Sequence, residues 1–328
     1  GFDMKLLTIT VPMYNVANYI EECLKSFLVP GAEEALEVLV VNDETPDNSR
    51  EIAEKFVEKY PEIYRIIDKK NGGHGSTVNR GIEEASGKYF KVVDGDDWVD
   101  QKAFENFLAH LQKTDADMVL SNYHWVDDKT KNRKEEVSEI CPGIEYGKDI
   151  PFSEVKDHIF AKMHAITYKT SVLRNQPERL DEKCFYVDAE YVIFPLPYIQ
   201  TVSAIPDFVY QYRIGMSTQS MSIENMMKRC SQHERVLKRI MDFYDKHKTC
   251  AAAEMIRDMA ARLAVSQYKI YLSFPQSHKT RMVAMEKEIR EKFPEVYSQM
   301  KNPAVQVLRS TGYLTYGLIS MVVRYARK

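Results

Sequence analysis

The stretch "NGGHGSTVNRGIEEASGKYFKVVDGDDW", residues 71–98, holds a whole loop–helix–strand unit, and its reading decides the fold. Glycines open a turn, Gly87 ends the helix, and "KYFKVVD" reads as a buried strand running straight into Asp94, Asp96 and Asp97. The same alternation runs upstream. "LLTITVP" (6–12) is a strand ending at its proline, and "VANYIEECLKSFLV" (16–29) carries a helical apolar stripe at Val16, Tyr19, Ile20, Cys23, Leu24 and Phe27. "EALEVLVVND" (34–43) is a second strand. "DNSREIAEKFVEKY" (47–60) is a helix between an N-cap at Asp47 or Asn48 and a stop at Pro61, and "YRIIDK" is a third strand. Strands and helices alternating at this spacing predict an α/β fold, a parallel sheet with helices on both faces. Ligands of such sheets sit beyond the carboxyl ends of the strands. Tyr14-Asn15, Asn42-Asp43 and Asp94 to Asp97 all fall there.

After residue 100 the pattern changes. A helix and a strand at 117–123 precede a charged, loop-like segment over 127–150. "VKDHIFAKMHAITYKTSVLR" (155–174) mixes helix and strand signals, and "CFYVDAEYVIFPLPYI" (184–199) sets an acidic step before an apolar helix. From about 221 the chain reads as nearly all helix. Two domains are expected: 4–215 around the sheet, and a helical C-terminal region over 216–328.

Composition narrows the function. The 328 residues are 44% hydrophobic and 28% charged, ordinary for a globular chain, and a net charge of −3 argues against a nucleic-acid partner bound through its phosphates. Five widely spaced cysteines without a CxxC pair read as reduced thiols of a cytosolic protein. Eight histidines in no HxxxH or HExxH arrangement argue against zinc. No signal peptide is expected, since Pro12 and polar residues interrupt the first apolar stretch. No run reaches the roughly 18 apolar residues of a spanning helix.

Carboxylates packed as closely as Asp94, Asp96 and Asp97 repel unless a cation or donors offset them. A hard divalent ion, Mn²⁺ or Mg²⁺, takes one or two carboxylates and completes its shell with water and phosphate oxygens. An acidic, solvated turn is the plainer alternative. Asp43 reads either as a strand-end turn residue or as an acceptor for a nucleobase N–H. "NGGHGSTVN" offers backbone N–H groups to phosphates ahead of a helix N-terminus, through Asn71, Gly72, Gly73 and His74, and is not a Walker loop. Arg213, in "VYQYRIGMSTQS" (209–220), reads as a diphosphate contact or as packing against its aromatic neighbours.

Four blocks in this order, "TITVPMYNVANYIEECLKSFL", "EVLVVNDETPDNSREIAEKF", the stretch 71–98 and "CFYVDAEY", resemble family 2 glycosyltransferases over roughly residues 4–215. The resemblance implies a GT-A fold, a mostly parallel Rossmann-like sheet flanked by helices, and inverting, metal-dependent transfer from a UDP-sugar. It implies that Pro12 and Tyr14 pack on the base, that Asp43 binds uracil, and that Asp94 and Asp96 form the DxD metal motif with Asp96 the more direct ligand. Asp188 matches the catalytic base. A saccharide or lipid-linked acceptor follows, in synthesis of cell-surface polysaccharide or glycoconjugate. The chain departs from the pattern at Asn42-Asp43-Glu44-Thr45, at Val187, where a Glu usually precedes the base, and at Val78, where an Arg is common. A nucleotidyltransferase, or a silent nucleotide-sugar binder or scaffold, are the alternatives. The first would carry a basic Gly-rich phosphate loop near the N-terminus, which "TVPMYNVANY" lacks, and the intact DxD with Asp188 counts against the second.

The tail, "NPAVQVLRSTGYLTYGLISMVVRYARK" (302–328), sets Leu314, Leu318, Ile319, Val322 and Val323 among tyrosines, bracketed by Arg309, Arg324, Arg327 and Lys328. This pattern suits a helix lying in the membrane interface, at the inner face of the cell membrane. It equally suits packing on its own domain or in a homodimer.

Overall fold

A computed structural model describes residues 4–135, 139–216 and 222–326. Arg327 and Lys328 of the tail, and the end of the 209–220 stretch, lie outside these residues. The chain divides into two compact units, residues 1–218 and 219–328.

The first unit opens as the sequence reading expects. Strand β1 (Leu7–Met13), short helices α1 (Ile20–Lys25) and α2 (Ala32–Ala35), β2 (Leu36–Asn42), α3 (Ser49–Lys59), β3 (Tyr64–Asp68), α4 (His74–Glu84) and β4 (Tyr89–Val92) follow one another. Every residue of β1 is buried, as both faces of a parallel strand covered by helices require. β1 runs one residue through Pro12, which was expected to end it. β4 pairs with β1 only as far as Thr10, so the missing N–H of Pro12 costs no bond on that side. The second half adds β5 (Trp98–Val99), α5 (Gln101–Lys113), β6 (Met118–Asp127), β7 (Arg133–Glu135), β8 (Ile150–Pro151) and α6 (Phe152–Val155). A 3-10 turn at Met163–Ala165 leads into β9 (Ile166–Lys169), α7 (Thr170–Asn175), α8 (Val187–Ile193) and β10 (Thr201–Ile214).

The sheet order is β3-β2-β1-β4-β9-β6-β10-β5, with β7 beside β6 and β8 beside β10. β1 to β4 are mutually parallel, and so are β6 and β10. β9 lies antiparallel to both β4 and β6, and β5 antiparallel to β10. The sheet is therefore mixed rather than parallel throughout. The four-residue β9 follows directly on the 3-10 turn and runs in reverse between β4 and β6.

The second unit is helical: α9 (Ile223–Lys246), α10 (Ala253–Leu272), α11 (Lys279–Lys292), α12 (Pro294–Ser298), α13 (Pro303–Ser310) and α14 (Tyr316–Ala326). Its interior holds polar anchors as well as apolar side chains. The His233 ring meets Gln267 Oε1 at 2.6 Å, and Glu234 accepts from the Tyr271 hydroxyl and from Arg281, both at 2.7 Å. Glu286, 2% exposed, accepts from the Tyr268 hydroxyl and from Arg309 Nε at 2.7 Å. Among the described residues no helix is long and apolar enough to cross a membrane.

Candidate active site

At the carboxyl end of β2, Asp43 is buried, and its carboxylate is fully engaged. Oδ1 accepts from Lys69 Nζ at 3.0 Å and the Gly72 amide at 2.9 Å, while Oδ2 accepts from the Gly73 amide at 3.0 Å and Asn71 Nδ2 at 3.2 Å. Asp43 thus shapes the 71–73 loop from within. Gly73 takes φ +87°, and a Cβ there would stand 3.0 Å from the Lys183 amide nitrogen. A Cβ on Gly75 would lie 2.1 Å from the Asp181 carbonyl oxygen, so only glycine admits this approach.

What approaches is the segment carrying Asp188. The Lys183 amide donates to the Gly72 carbonyl at 2.6 Å. Buried Asn79 on α4 grips Leu180 twice, donating to its carbonyl at 2.9 Å and accepting from its amide at 3.0 Å. Glu190, fully buried, accepts from the Asp181 amide at 2.9 Å. Tyr186 caps α8 in a left-handed conformation at φ +71°, a cost that persists where the surroundings over-determine it. Asp188 follows in the first turn of α8. It is exposed, and its charge reaches His74 and Tyr212.

The loop joins the acidic turn through His74, whose Nε2 lies 2.6 Å from Asp94 Oδ1. Burial opposes the imidazolium, but the charge and hydrogen bond of Asp94 outweigh it and hold the His74 pKa up. Reciprocally, burial would raise the Asp94 carboxyl, yet His74 brings it below the ordinary range. Asp96 accepts from no side chain among the described residues. Burial, then the Asp94 charge, push it up to about 6. Asp97 is 1% exposed and raised well above its usual value by burial, then by Asp96 and Asp94. Tyr210 donates to its Oδ2 at 2.5 Å and the Arg213 amide to Oδ1 at 2.9 Å, so Asp97 anchors the turn to β10.

Arg213 sits behind the turn. Its Nε donates to the Asp96 carbonyl at 2.7 Å, and its two terminal nitrogens pair Asp128 at 2.7 Å and Glu22 at 3.2 Å. The guanidinium lies 4.6 Å from the ring centroids of both Tyr19 and Trp98. The Asp94 carbonyl accepts from Cys23 Sγ at 3.6 Å. Tyr14, just past β1, is 48% exposed. The next residues tie the first-strand loop to the 45–49 loop: Asn15 N to Thr45 Oγ1 at 2.9 Å, Val16 N to Ser49 Oγ at 3.2 Å and Ala17 N to Asp47 Oδ2 at 3.1 Å. Pro12, Tyr14, Asp43, Asn71 to His74, Asp94, Asp96 and Asp188 therefore belong to one connected set of loops.

Two residues escaped the sequence reading. His164, on the 3-10 turn, packs against the rings of Tyr123, Tyr210 and Tyr212. Burial lowers its pKa to about 4, and its Nδ1 is buried with no partner among the described residues. Lys91, fully buried on β4, donates to the His164 carbonyl at 3.0 Å, and burial brings it down to about 7. No spacing rule links residues 91, 164 and 210; only the strand order brings them together.

Ligand atoms of Asp94, Asp97 and His164 all lie within 4.8 Å of one another. This set differs from the expected pair Asp94 and Asp96. Both Asp97 oxygens already serve Tyr210 and the Arg213 amide, whereas Asp96 and Asp94 Oδ2 keep their lone pairs. His164 and the Asp94 carboxylate stand in that cluster and Asp96 is near enough to Asp94 for their charges to repel, a donor chemistry that suits a divalent cation.

Residues 8–176 match the family described as "Glycosyl transferase family 2". The chain belongs to glycosyltransferase family 2. This family 2 chain is 42% identical over 119 residues to the uncharacterized glycosyltransferase EpsJ of Bacillus subtilis, 36% of this chain and 34% of that protein. It is 26% identical over 211 residues to the minor teichoic acid biosynthesis protein GgaB of the same species, 63% of this chain and 23% of that protein. The chain spans 34 to 42% of the length of the curated relatives it matches first. Staphylococcus aureus TarS 1-349 in complex with UDP-GlcNAc aligns at TM-score 0.70 and 15% identity, over 98% of this chain and 92% of that one. That likeness shows the fold, which is GT-A.

Proposed function

We propose that this family 2 protein is an inverting glycosyltransferase that moves a sugar from a UDP-sugar to a hydroxyl of a saccharide or lipid-linked acceptor. The observation that carries the reading is the 71–75 loop, which ties Asp43, the Asp94–Asp97 turn and the Asp188 segment into one site. The UDP-GlcNAc and UDP complexes of TarS support the donor class. GgaB, named for teichoic acid biosynthesis, supports a role in cell-surface polymers.

Inversion by a single displacement needs a base, a departing diphosphate and a dry site. Asp188 takes the acceptor proton as the hydroxyl attacks, and its exposure gives an incoming acceptor access. Pro12 and Tyr14 border the base, and the N-terminus of α4, which begins at His74, faces the phosphates, while the Gly72 and Gly73 amides and Asn71 Nδ2 are taken by Asp43. Asp94 and Asp96 would hold Mn²⁺ or Mg²⁺, which supplies Lewis-acid stabilisation of the leaving diphosphate. A protein co-crystallised with GDP-Man and Mn²⁺, the mannosyltransferase PcManGT of Pyrobaculum calidifontis, shares the fold at TM-score 0.50 and 13% identity.

UDP release from a panel of UDP-sugars, with and without Mn²⁺, tests the reading. Asp188→Asn should bind donor normally yet lose about 10²–10⁴-fold in turnover. Lost donor binding with unchanged kcat would place Asp188 in the binding shell, and no release from any UDP-sugar would overturn the donor class.

A further inference from the structure

Helix α14 packs one side and leaves the other bare. The Tyr316 and Ser320 hydroxyls donate to the Tyr271 and Leu272 carbonyls of α10, at 3.2 and 2.7 Å. Leu314, Leu318, Met321, Val322 and Tyr325 remain 55 to 85% exposed. Leu314 stands in the turn before α14, and Leu318, Met321, Val322 and Tyr325 fall along one face of the helix. Ile319 and Val323, expected in the stripe, are half-buried instead. Scattered exposed apolar residues are normal, but an aligned stripe of four with Leu314 beside it is a surface built to meet something.

Charge identifies what it meets. Residues 219–328 carry twenty Lys and Arg against ten Asp and Glu, whereas residues 1–218 carry 25 against 38. Residues 302–328 contain no acidic side chain. Arg309 is withdrawn from this count of available cations, since it pairs Glu286 and lies 3.7 Å over the Tyr297 ring. Arg324 stands beside exposed Tyr325, and Arg327 and Lys328 follow in sequence. An aromatic next to cations at the end of an apolar stripe is the composition of an interfacial anchor.

We propose that the exposed face of α14 lies in the headgroup region of an anionic lipid bilayer, drawn there by the basic helical unit. A second copy pairing through the same face fits less well, because it would set one basic unit against another. The proposal is independent of the transfer reaction, since its readout needs no turnover.

Vesicle co-sedimentation of the full chain tests it, with phosphatidylcholine alone and with phosphatidylcholine–phosphatidylglycerol mixtures. We expect binding to the mixed vesicles only, falling as salt is raised. Leu318→Glu with Met321→Glu should reduce that binding at least about tenfold, leaving helical circular dichroism unchanged because both side chains are exposed. Wild-type chain that ignores anionic vesicles overturns the proposal, as does a double variant that binds them equally well. So does a wild-type dimer that the double variant converts to a monomer while neither form binds lipid.

Discussion

Each Asp43 oxygen has two lone pairs, and four donors already fill them. This makes the side chain a builder of the 71–73 loop before it is a reader of any base. Asp43→Ala would strand Lys69, which is 14% exposed on its side chain. Breaking a buried pair costs about 3–5 kcal/mol, and Lys69 keeps Ser76 and Lys70 as acceptors, so about 3 kcal/mol is expected from denaturant unfolding. UDP and GDP affinity should fall together, since the loop loosens for both. A selective loss of UDP binding at unchanged stability would instead make Asp43 a base reader. Asp96 makes stability depend on pH. Its folded pKa of about 6 lies above the unfolded carboxyl value, so the folded chain keeps a proton the unfolded chain has lost. That contribution is complete below about pH 4 and drains away as pH rises through 6. Melting of the metal-free protein should show wild type losing stability relative to Asp96→Asn over this window, by about 3 kcal/mol at most.

At the scale of elements, α4 and α8 are joined through Asn79, whose side chain alone satisfies both backbone groups of buried Leu180. Asn79→Ala leaves that amide and carbonyl unpaired, at about 1–3 kcal/mol each. The Asp188 segment should then drift, so kcat should fall more than the affinity for UDP-sugar; equal losses in both would mean the clamp serves folding only. The first half of the sheet was legible because β1, β2 and β4, buried almost throughout, are short stretches rich in β-branched and aromatic residues set between helical stripes. β9 was not legible, because "ITYK" is too short to carry a period and its direction is set by partners on both sides. The acidic turn was visible because its carboxylates are neighbours in sequence. Its supports, Tyr210, His164 and Lys91, reach it only through strand pairing.

For the whole molecule, the candidate site rests entirely on residues of the first unit. Hydrogen exchange with UDP and Mn²⁺ should therefore slow amides of residues 71–75 and 180–188 and leave those of α9 to α13 unchanged, because ligand binding protects only the cooperative units it contacts. Protection spread evenly over α9 to α13 would show that the units unfold together. The opposite charges of the two units follow the same division. The sheet unit carries 25 Lys and Arg against 38 Asp and Glu, the helical unit twenty against ten.

Cys23 lies under the acidic turn with its thiol directed at the Asp94 carbonyl. Burial, then the charges of Asp97, Asp96 and Asp94, keep that thiol protonated. An alkylating reagent reaches it only when the turn lifts from α1, whereas half-buried Cys250 lies nearer the solvent. The protein thus carries its own chemical clock: the slow modification of Cys23 counts the openings of the acidic turn, in unmodified chain and without any substrate.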